Sequence, residues 1–137
     1  IARLCQSARE ITDGRLLILF GCGGDRDRGK RSLMGKAAAE NADFVVVTSD
    51  NPRTEDPSRI IIDILPGVQG VDKLVIPDRQ EAIRELVRLA GPDDTLLIAG
   101  KGAEDYQEIG TRREPFNDLE EVRSALAELG YVKETTG

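Results

Sequence analysis

Short apolar runs alternate along the chain with stretches that have apolar residues at helical spacing. The apolar runs cover residues 15–20, 44–47, 73–76 and 95–99. Each run is short and rich in branched side chains, which is typical of buried parallel strands. The intervening stretches predict helices that pack on the sheet. This alternation predicts an α/β, Rossmann-like domain with a mainly parallel sheet and helices on both faces.

Two helix starts are marked by capping residues. Asp78 with Glu81 has the spacing of a capping box, and Asn117 is a favoured N-cap for the last helix. The residues expected on inward helical faces include Ile11 and Leu33 and, in the last helix, Leu119, Val122, Leu126 and Leu129. These patterns predict amphipathic helices before and after the last long strand.

The last third of the chain departs from the strand–helix alternation. Residues 107–116, around Gly110, predict a short C-terminal hairpin or edge strand, and Tyr131-Val132 predicts a final short strand. No linker long enough to divide the chain is present, so residues 1–137 are predicted to form a single domain.

Composition narrows the functional classes. The chain of 137 residues has a net charge of -6, no histidine, two cysteines and no tryptophan. The acidic balance and the scarcity of aromatic residues argue against a nucleic-acid partner. The lack of histidine excludes His-based catalysis and His-ligated zinc, and two cysteines are too few for a disulfide framework. No apolar run predicts a membrane span, so we expect a cytoplasmic protein. The chain starts without Met and within a helical pattern, which favours a piece of a longer protein.

A glycine-rich polar loop, residues 21–31, follows the first predicted strand. It approaches two nucleotide fingerprints but misses both, since Arg31 stands where a Walker loop needs Ser or Thr and Arg26 replaces the third glycine of a dinucleotide loop. We therefore predict no self-sufficient nucleotide site. The loop's amides and basic side chains, Arg26 above all, favour an anionic ligand. For Arg28, a solvated charged loop is an equal alternative.

A second polar loop, residues 48–53, follows the second strand. Asp50 can accept hydrogen bonds from an ammonium, Asn51 can donate or accept, and Arg53 presents a planar fork to a carboxylate. Pro52 restricts the backbone around them. The alternative is an ordinary turn in which Asp50 or Asn51 caps the next helix.

A third polar loop, residues 100–106, follows the fourth strand. Gly100 permits close backbone approach, so that a carbonyl there could accept from an ammonium, and Glu104 adds a carboxylate. The alternative is a plain turn. Because loops after parallel strands meet at one edge of the sheet, the three loops predict a site for one small ligand. That ligand has carboxylates for Arg26 and Arg53 and an ammonium for Asp50 or Glu104.

These three loops carry a family resemblance. The segments Gly23–Arg31, Asp50–Arg53 and Gly100–Gln107 resemble the C-terminal domain of the Mur ligases, in the form that adds meso-diaminopimelate. The resemblance covers essentially the whole chain in order, and the Asp-Asn-Pro-Arg tetrad is that form's signature. One departure is Ala103, where the family usually has histidine.

The resemblance implies an ATP-dependent amide ligase of peptidoglycan synthesis that uses ATP and Mg²⁺. Both would be bound mainly by a central ATPase domain, and UDP-MurNAc-L-Ala-D-Glu by an N-terminal domain, neither of which this chain contains. Neither ATP nor Mg²⁺ is expected to bind this chain tightly, and no catalytic or metal-ligating residue is expected in it. Two alternatives stay open: a stand-alone nucleotide-binding module and a non-catalytic interaction module.

The resemblance also implies roles for six residues in binding meso-diaminopimelate. Arg26 and Arg53 would clamp carboxylates, and Asn51 would hydrogen-bond the amino acid. Gly100 and Glu104 would receive the distal ammonium, while Asp50 would orient the loop.

Overall fold

The computed structural model describes residues 1–24, 27–100 and 106–130. Helices and strands alternate along most of this part of the chain. The helices are α1 (Ala2–Arg9), α2 (Gly29–Asn41), α3 (Pro57–Ile64), α4 (Arg79–Leu89) and α5 (Asp118–Glu128). The strands are β1 (Leu16–Phe20), β2 (Phe44–Val47), β3 (Asp72–Val75), β4 (Thr95–Ile98), β5 (Tyr106–Ile109) and β6 (Arg112–Pro115).

Four of the strands form one parallel sheet in the order β3-β2-β1-β4. In the centre, Ile18 of β1 lies opposite Val45 of β2 and Leu97 of β4. Strands β5 and β6 form a separate antiparallel hairpin, which touches the rest through a bridge between Ile109 and Arg53. The structure therefore confirms the predicted parallel sheet and the C-terminal hairpin.

The sheet is covered on both faces, as the strand–helix alternation predicts. Leu16, Ile18 and Phe20 of β1 pack into a core with α1, α2 and α3. Leu17 and Leu19 face the opposite core, which is completed by α4 and α5. Since β1 lies in the interior of the sheet with helices on both sides, all five of its residues are buried.

Some of the residues that were expected on the inward faces of the helices are exposed instead. Ile11 is exposed because α1 ends at Arg9, and Leu33 is exposed because α2 buries Gly35 and Ala38 instead. A Cβ on Gly35 would lie 2.7 Å from the Ile64 carbonyl oxygen, so only a small residue lets α2 approach the end of α3 this closely.

The expected inward face of the last helix is confirmed for Val122 and Leu126, which pack against the core, and is wrong for Leu119 and Leu129. Asp118 and Ala125 are buried, whereas Leu119 and Leu129 are exposed. Asp118, Val122 and Ala125 lie on one face at helical spacing, and Val122 packs against the core. The Asp118 carboxylate on this face accepts a hydrogen bond from the buried Arg79, so the inward face of α5 combines apolar packing with a buried charged contact.

The helix starts test the predicted caps. Asp78 accepts a hydrogen bond from the Glu81 amide and Asn117 accepts one from the Glu120 amide, each at 3.0 Å. Both capping predictions are confirmed. The cap of α3 is Asp56, which accepts from the Ser58 amide at 2.9 Å. The alternative in which Asp50 or Asn51 caps this helix is therefore wrong.

The predicted strand at Tyr131-Val132 lies outside the described residues. Within residues 1–24, 27–100 and 106–130, no helix is long and apolar enough to cross a membrane.

Candidate functional site

The three polar loops leave the carboxyl ends of β1, β2 and β4, which are neighbours in the sheet. A cavity of about 460 Å³ lies between these loops and the start of α2. We call it the edge cavity. It is lined by Gly21, Cys22, Gly23, Asp27, Lys30, Arg31, Met34, Asp50 and Gly100. Its position at the carboxyl edge is where open α/β sheets bind ligands.

The first two loops pack backbone against backbone. The Gly24 amide donates to the Asn51 carbonyl oxygen at 2.7 Å. A Cβ on Gly24 would lie 1.7 Å from the Pro52 carbonyl oxygen, which is far inside van der Waals contact. Only glycine fits at this position, so Gly24 allows the first loop to pack closely against the second loop.

The second and third loops meet at Asp50. A Cβ on Gly100 would lie 3.3 Å from the Asp50 carboxylate, and Gly100 has a φ of +116°, which favours glycine. On the other side, the Gln107 side-chain amide donates to the Asp50 carbonyl oxygen at 2.7 Å. The carboxylate of Asp50 therefore borders the cavity beside bare backbone, an arrangement that suits a cationic group.

Arg53 has an unusual backbone for a residue with a side chain. Its φ is +53°, in the left-handed region, which costs on the order of 1–2 kcal/mol for such residues. The hairpin holds it there, because the Gly110 amide donates to the Arg53 carbonyl oxygen at 2.6 Å. Its guanidinium Nη1 donates to the carbonyl oxygens of Gly24 at 3.0 Å and Asn51 at 3.5 Å. Such strain, kept by surrounding contacts, is typical of functional sites.

The structure thus places four of the six predicted site residues. Asp50 and Gly100 line the edge cavity, while Asn51 is buried and, like Arg53, is bonded to Gly24 beside it. Arg26 and Glu104 lie outside the described residues, as does Ala103.

A charged cluster next to the edge cavity was missed by the sequence reasoning. The buried Arg31 guanidinium donates to Glu55 at 2.8 and 3.0 Å, to Asp63 at 2.8 Å and to the Gly23 carbonyl oxygen at 3.2 Å. The side chain of Arg28 also belongs to this cluster, because its Nε donates to Asp63 at 3.0 Å. The alternative in which Arg28 is only solvated is therefore wrong. The cluster joins the first loop to α3 and to the segment after the second loop. The sequence did contain a signal for this cluster, since Arg31 is a basic residue at the position where a Walker loop has Ser or Thr.

Hydrogen bonds from Arg28, and then from Arg31, lower the pKa of Asp63. A carboxyl group whose pKa is lower in the folded state stabilises the fold above its unfolded pKa of about 3.9, and this stabilisation is lost as the pH falls. We therefore expect Asp63→Asn to flatten part of the loss of thermal stability of the chain below about pH 4. Thermal melts between pH 2.5 and 7 measure this.

The control is Glu40→Gln, which removes an exposed carboxylate 3.8 Å from Lys36. Its stability curve should run parallel to that of the wild type, because exposed ion pairs contribute little. A Asp63→Asn curve that also runs parallel to the wild type would contradict the role of the cluster.

One wall of the edge cavity is uncharged. Burial raises the pKa of the Cys22 thiol to about 11, so the thiol stays protonated at neutral pH. Its sulfur lies 3.5 Å from that of Met34. The charges around the cavity therefore come from the loops and from the start of α2.

A second depression of about 460 Å³ lies on the other side of the second loop. It is lined by Ser49, Pro52, Pro57, Pro77, Asp78, Arg79, Gln80, Gln107, Ile109, Pro115, Phe116 and Glu121. We call it the hairpin groove. It lacks Asp50 and Gly100, and it lies away from the glycine-rich loop. The edge cavity is therefore the better candidate for a small zwitterion.

A second contact that the sequence analysis did not predict joins the start of α4 to the start of α5. Arg79 at the start of α4 and Asp118 at the start of α5 form a buried ion pair at 2.8 Å. A sequence signal existed, because a cation in the first turn of a helix is disfavoured by the helix dipole and needs a reason to be there.

Among the described residues, no group of three or more Cys, Asp or Glu side chains is placed to hold a metal ion.

The chain is similar in sequence to one family of known proteins. The family model described as "Mur ligase, glutamate ligase domain" matches residues 1–102. The UDP-N-acetylmuramoyl-L-alanyl-D-glutamate–2,6-diaminopimelate ligase of Alkalilimnicola ehrlichii is 60% identical over 115 residues, or 84% of this chain. The ligase of the same name from Synechocystis is 53% identical over 122 residues, or 88% of this chain.

A solved structure of a ligase of that name matches as well. It superposes on 96% of this chain with a TM-score of 0.91 and 44% sequence identity. The chain spans only 23% of the length of the Alkalilimnicola ligase, 24% of the Synechocystis ligase and 27% of the solved chain. The similarity therefore concerns about a quarter of each relative.

Proposed function

The chain belongs to the Mur ligase family, and we propose that it is the C-terminal, amino-acid-binding domain of an ATP-dependent ligase. This ligase adds meso-diaminopimelate to UDP-N-acetylmuramoyl-L-alanyl-D-glutamate in peptidoglycan synthesis, and we refer to it below as the full-length ligase. The observation that carries the proposal is one cavity at the carboxyl edge of the sheet that Asp50 and Gly100 line, with Arg53 bonded to Gly24 of the adjoining first loop. The names of the relatives support the same substrate.

The edge cavity suits an amino acid with charges at both ends. Asp50 and the backbone at Gly100 present acceptors for an ammonium. Among its contacts, Arg53 donates to the carbonyl oxygens of Gly24 and Asn51. A carboxylate accepts stronger hydrogen bonds from a guanidinium than a carbonyl does, so a substrate carboxylate can compete for this side chain. Arg26 and Glu104 are proposed to complete the site from the first and third loops.

The chemistry that this domain serves is amide formation. The γ-carboxylate of D-glutamate takes the γ-phosphoryl group of ATP, which gives an acyl phosphate and releases ADP. The diaminopimelate amine then attacks the acyl carbon, and phosphate leaves as the amine loses a proton. ATP and Mg²⁺ are proposed to bind mainly to parts of the ligase outside this chain. The contribution of this chain is to hold the attacking amine in place, which converts a bimolecular encounter into a positioned one.

The direct test compares amino-acid substrates in the full-length ligase. We expect kcat/KM for meso-diaminopimelate to exceed that for L-lysine by roughly a hundredfold or more, because lysine lacks the distal carboxylate and leaves a guanidinium facing a second cation. Coupled phosphate-release kinetics with both amino acids measure this ratio. Equal use of the two substrates, or a preference for lysine, would refute the proposed substrate.

A further expectation separates this proposal from a stand-alone nucleotide-binding module. The chain by itself should neither hydrolyse ATP nor bind it with micromolar affinity. The position where a Walker loop has its metal-binding hydroxyl is Arg31, which is buried in its contacts with Glu55 and Asp63. Calorimetric titration with Mg-ATP and a phosphate-release assay measure both properties. Tight ATP binding by the purified chain would favour the nucleotide-binding module instead.

A further inference from the structure

We propose that Arg79 is a positioning residue for the amino-acid site, because it holds the two peptide groups that lead into Asp50 and Gly100. The inference rests on the proposed function of the edge cavity. Arg79 itself lines the hairpin groove, on the other side of the second loop, and it is argued to act through the two loops.

Arg79 makes four hydrogen bonds although it is only 2% exposed. Its Nη1 donates to the Ser49 carbonyl oxygen at 2.9 Å, and its Nη2 donates to the Ala99 carbonyl oxygen at 3.2 Å. Its Nε and Nη2 each donate to the Asp118 carboxylate at 2.8 Å. One buried side chain therefore joins the ends of two strands and the start of a helix.

The two carbonyl groups have a special place in the loops. The Ser49 carbonyl shares its peptide plane with the Asp50 amide, and the Ala99 carbonyl shares its plane with the Gly100 amide. Fixing these two planes fixes the direction in which each loop leaves its strand. The carboxylate of Asp50 and the backbone of Gly100 meet in the edge cavity directly beyond these planes.

The sheet alone does not join these two loops. The strand order places β1 between β2 and β4, so no ladder of hydrogen bonds connects β2 to β4 directly. Arg79 spans that gap at the carboxyl edge. It therefore couples the backbone that leads into Asp50 to the backbone that leads into Gly100.

An arginine is needed for this arrangement, and its burial needs compensation. A buried cation at a helix start is unfavourable by desolvation and by the helix dipole. Asp118 offsets both effects, since its carboxylate neutralises Arg79 and lies in the first turn of α5, where an anion is favoured. A lysine could pair with Asp118, but its single ammonium cannot serve acceptors spread around a planar fork.

The competing interpretation is that Arg79 merely fastens α4 to α5. The same two helices are also joined by the exposed pair of Arg84 and Glu128 at 3.2 Å, which does not reach the loops. Arg84→Gln is therefore a matched control, because it removes an α4–α5 ion pair without touching the carbonyl groups of Ser49 and Ala99.

The first experiment measures kinetics of Arg79→Lys and Arg84→Gln in the full-length ligase. We expect Arg79→Lys to raise KM for meso-diaminopimelate roughly tenfold or more, since charge-assisted hydrogen bonds to the loops are lost. KM for ATP should stay within about twofold in the same variant, because the change acts on the amino-acid site. Arg84→Gln should change neither constant. An unchanged KM for diaminopimelate in a folded, active Arg79→Lys ligase would overturn the inference.

The second experiment does not depend on ligase activity. In the chain itself, Arg79→Lys should shift the carbonyl ¹³C and amide ¹⁵N resonances of the Ser49–Asp50 and Ala99–Gly100 peptide groups, and Arg84→Gln should leave them in place. Shifts confined to α4 and α5 would support the fastening role and overturn the inference. A wild-type ligase without activity on meso-diaminopimelate would refute the proposed function while leaving this spectroscopic result standing.

A second variant guards against a chain that fails to fold. Asp118→Asn keeps the shape of the side chain, but it removes the charge and replaces one of the two oxygens that accept from Arg79 with an amide group that donates. It should raise KM for meso-diaminopimelate severalfold, in the same direction as Arg79→Lys. An effect no larger than that of Arg84→Gln would overturn the inference by this route as well.

Discussion

Replacing Arg53 with Ala in the full-length ligase is expected to lower kcat/KM for meso-diaminopimelate. The expected loss of transition-state stabilisation is about 2–5 kcal/mol, the range for a broken buried charge pair. Activity with L-lysine should fall much less or rise, because lysine has no distal carboxylate for Arg53 to bind. Steady-state kinetics with both amino acids measure the difference. The change in the ratio of the two kcat/KM values, rather than either value alone, reports on selectivity.

Two further variants at position 53 separate the side chain from the backbone. Arg53→Gly removes the guanidinium and also relieves the strain of the positive φ. If Arg53 selects the substrate, Arg53→Gly should lose as much selectivity as Arg53→Ala. Arg53→Lys should restore little, because a point charge does not reproduce the planar fork. Equal losses with both amino acids would mean that Arg53 only supports the loop.

Gly24→Ala is expected to have the second largest effect. A methyl group at Gly24 would lie 1.7 Å from the Pro52 carbonyl oxygen, and the neighbour is backbone that cannot rotate away. The first loop must therefore move off the second, which breaks the bond from the Gly24 amide to Asn51 and displaces the Gly24 carbonyl from Arg53. We expect a loss of about 1–3 kcal/mol in the free energy of unfolding of the chain, as for overpacked sites. Urea unfolding followed by circular dichroism measures this.

Gly29→Ala is the matched control within the same glycine-rich stretch. A Cβ there meets only the end of the Asp27 side chain at 3.2 Å, and alanine is a better helix former than glycine. This variant should be neutral or slightly stabilising. If Gly24→Ala and Gly29→Ala unfolded at the same urea concentration, the close packing of the two loops would not be needed for stability.

The positions of the polar loops could be predicted from the sequence because they depend on local patterns. A short apolar run ending in polar residues marks the carboxyl end of a strand, and parallel strands bring such ends together. Asp50 and Gly100 were placed at one edge by this rule alone, and the structure puts the Asp50 carboxylate beside Gly100. The caps at Asp78 and Asn117 follow from equally local chemistry.

The contacts that fix the loops could not be predicted in the same way. Arg79 and Asp118 are 39 residues apart, and their pairing depends on how α5 packs against α4. The apolar pattern of α5 correctly placed Val122 and Leu126 inward, but Leu119 and Leu129 are exposed, and the pattern gave no sign that Asp118 would be buried against Arg79. Arg31 likewise finds its partners on α3 and beyond the second loop, where no spacing rule reaches.

The central claim is that the edge cavity binds the amino acid that the ligase adds. A crystal structure of the full-length ligase with meso-diaminopimelate tests it most directly. The account predicts a ligand carboxylate about 2.7–3.2 Å from the Arg53 guanidinium, with an ammonium group beside Asp50 and Gly100. Density for the amino acid in the hairpin groove, between Pro77 and Phe116, with Arg53 still bonded to Gly24, would contradict it.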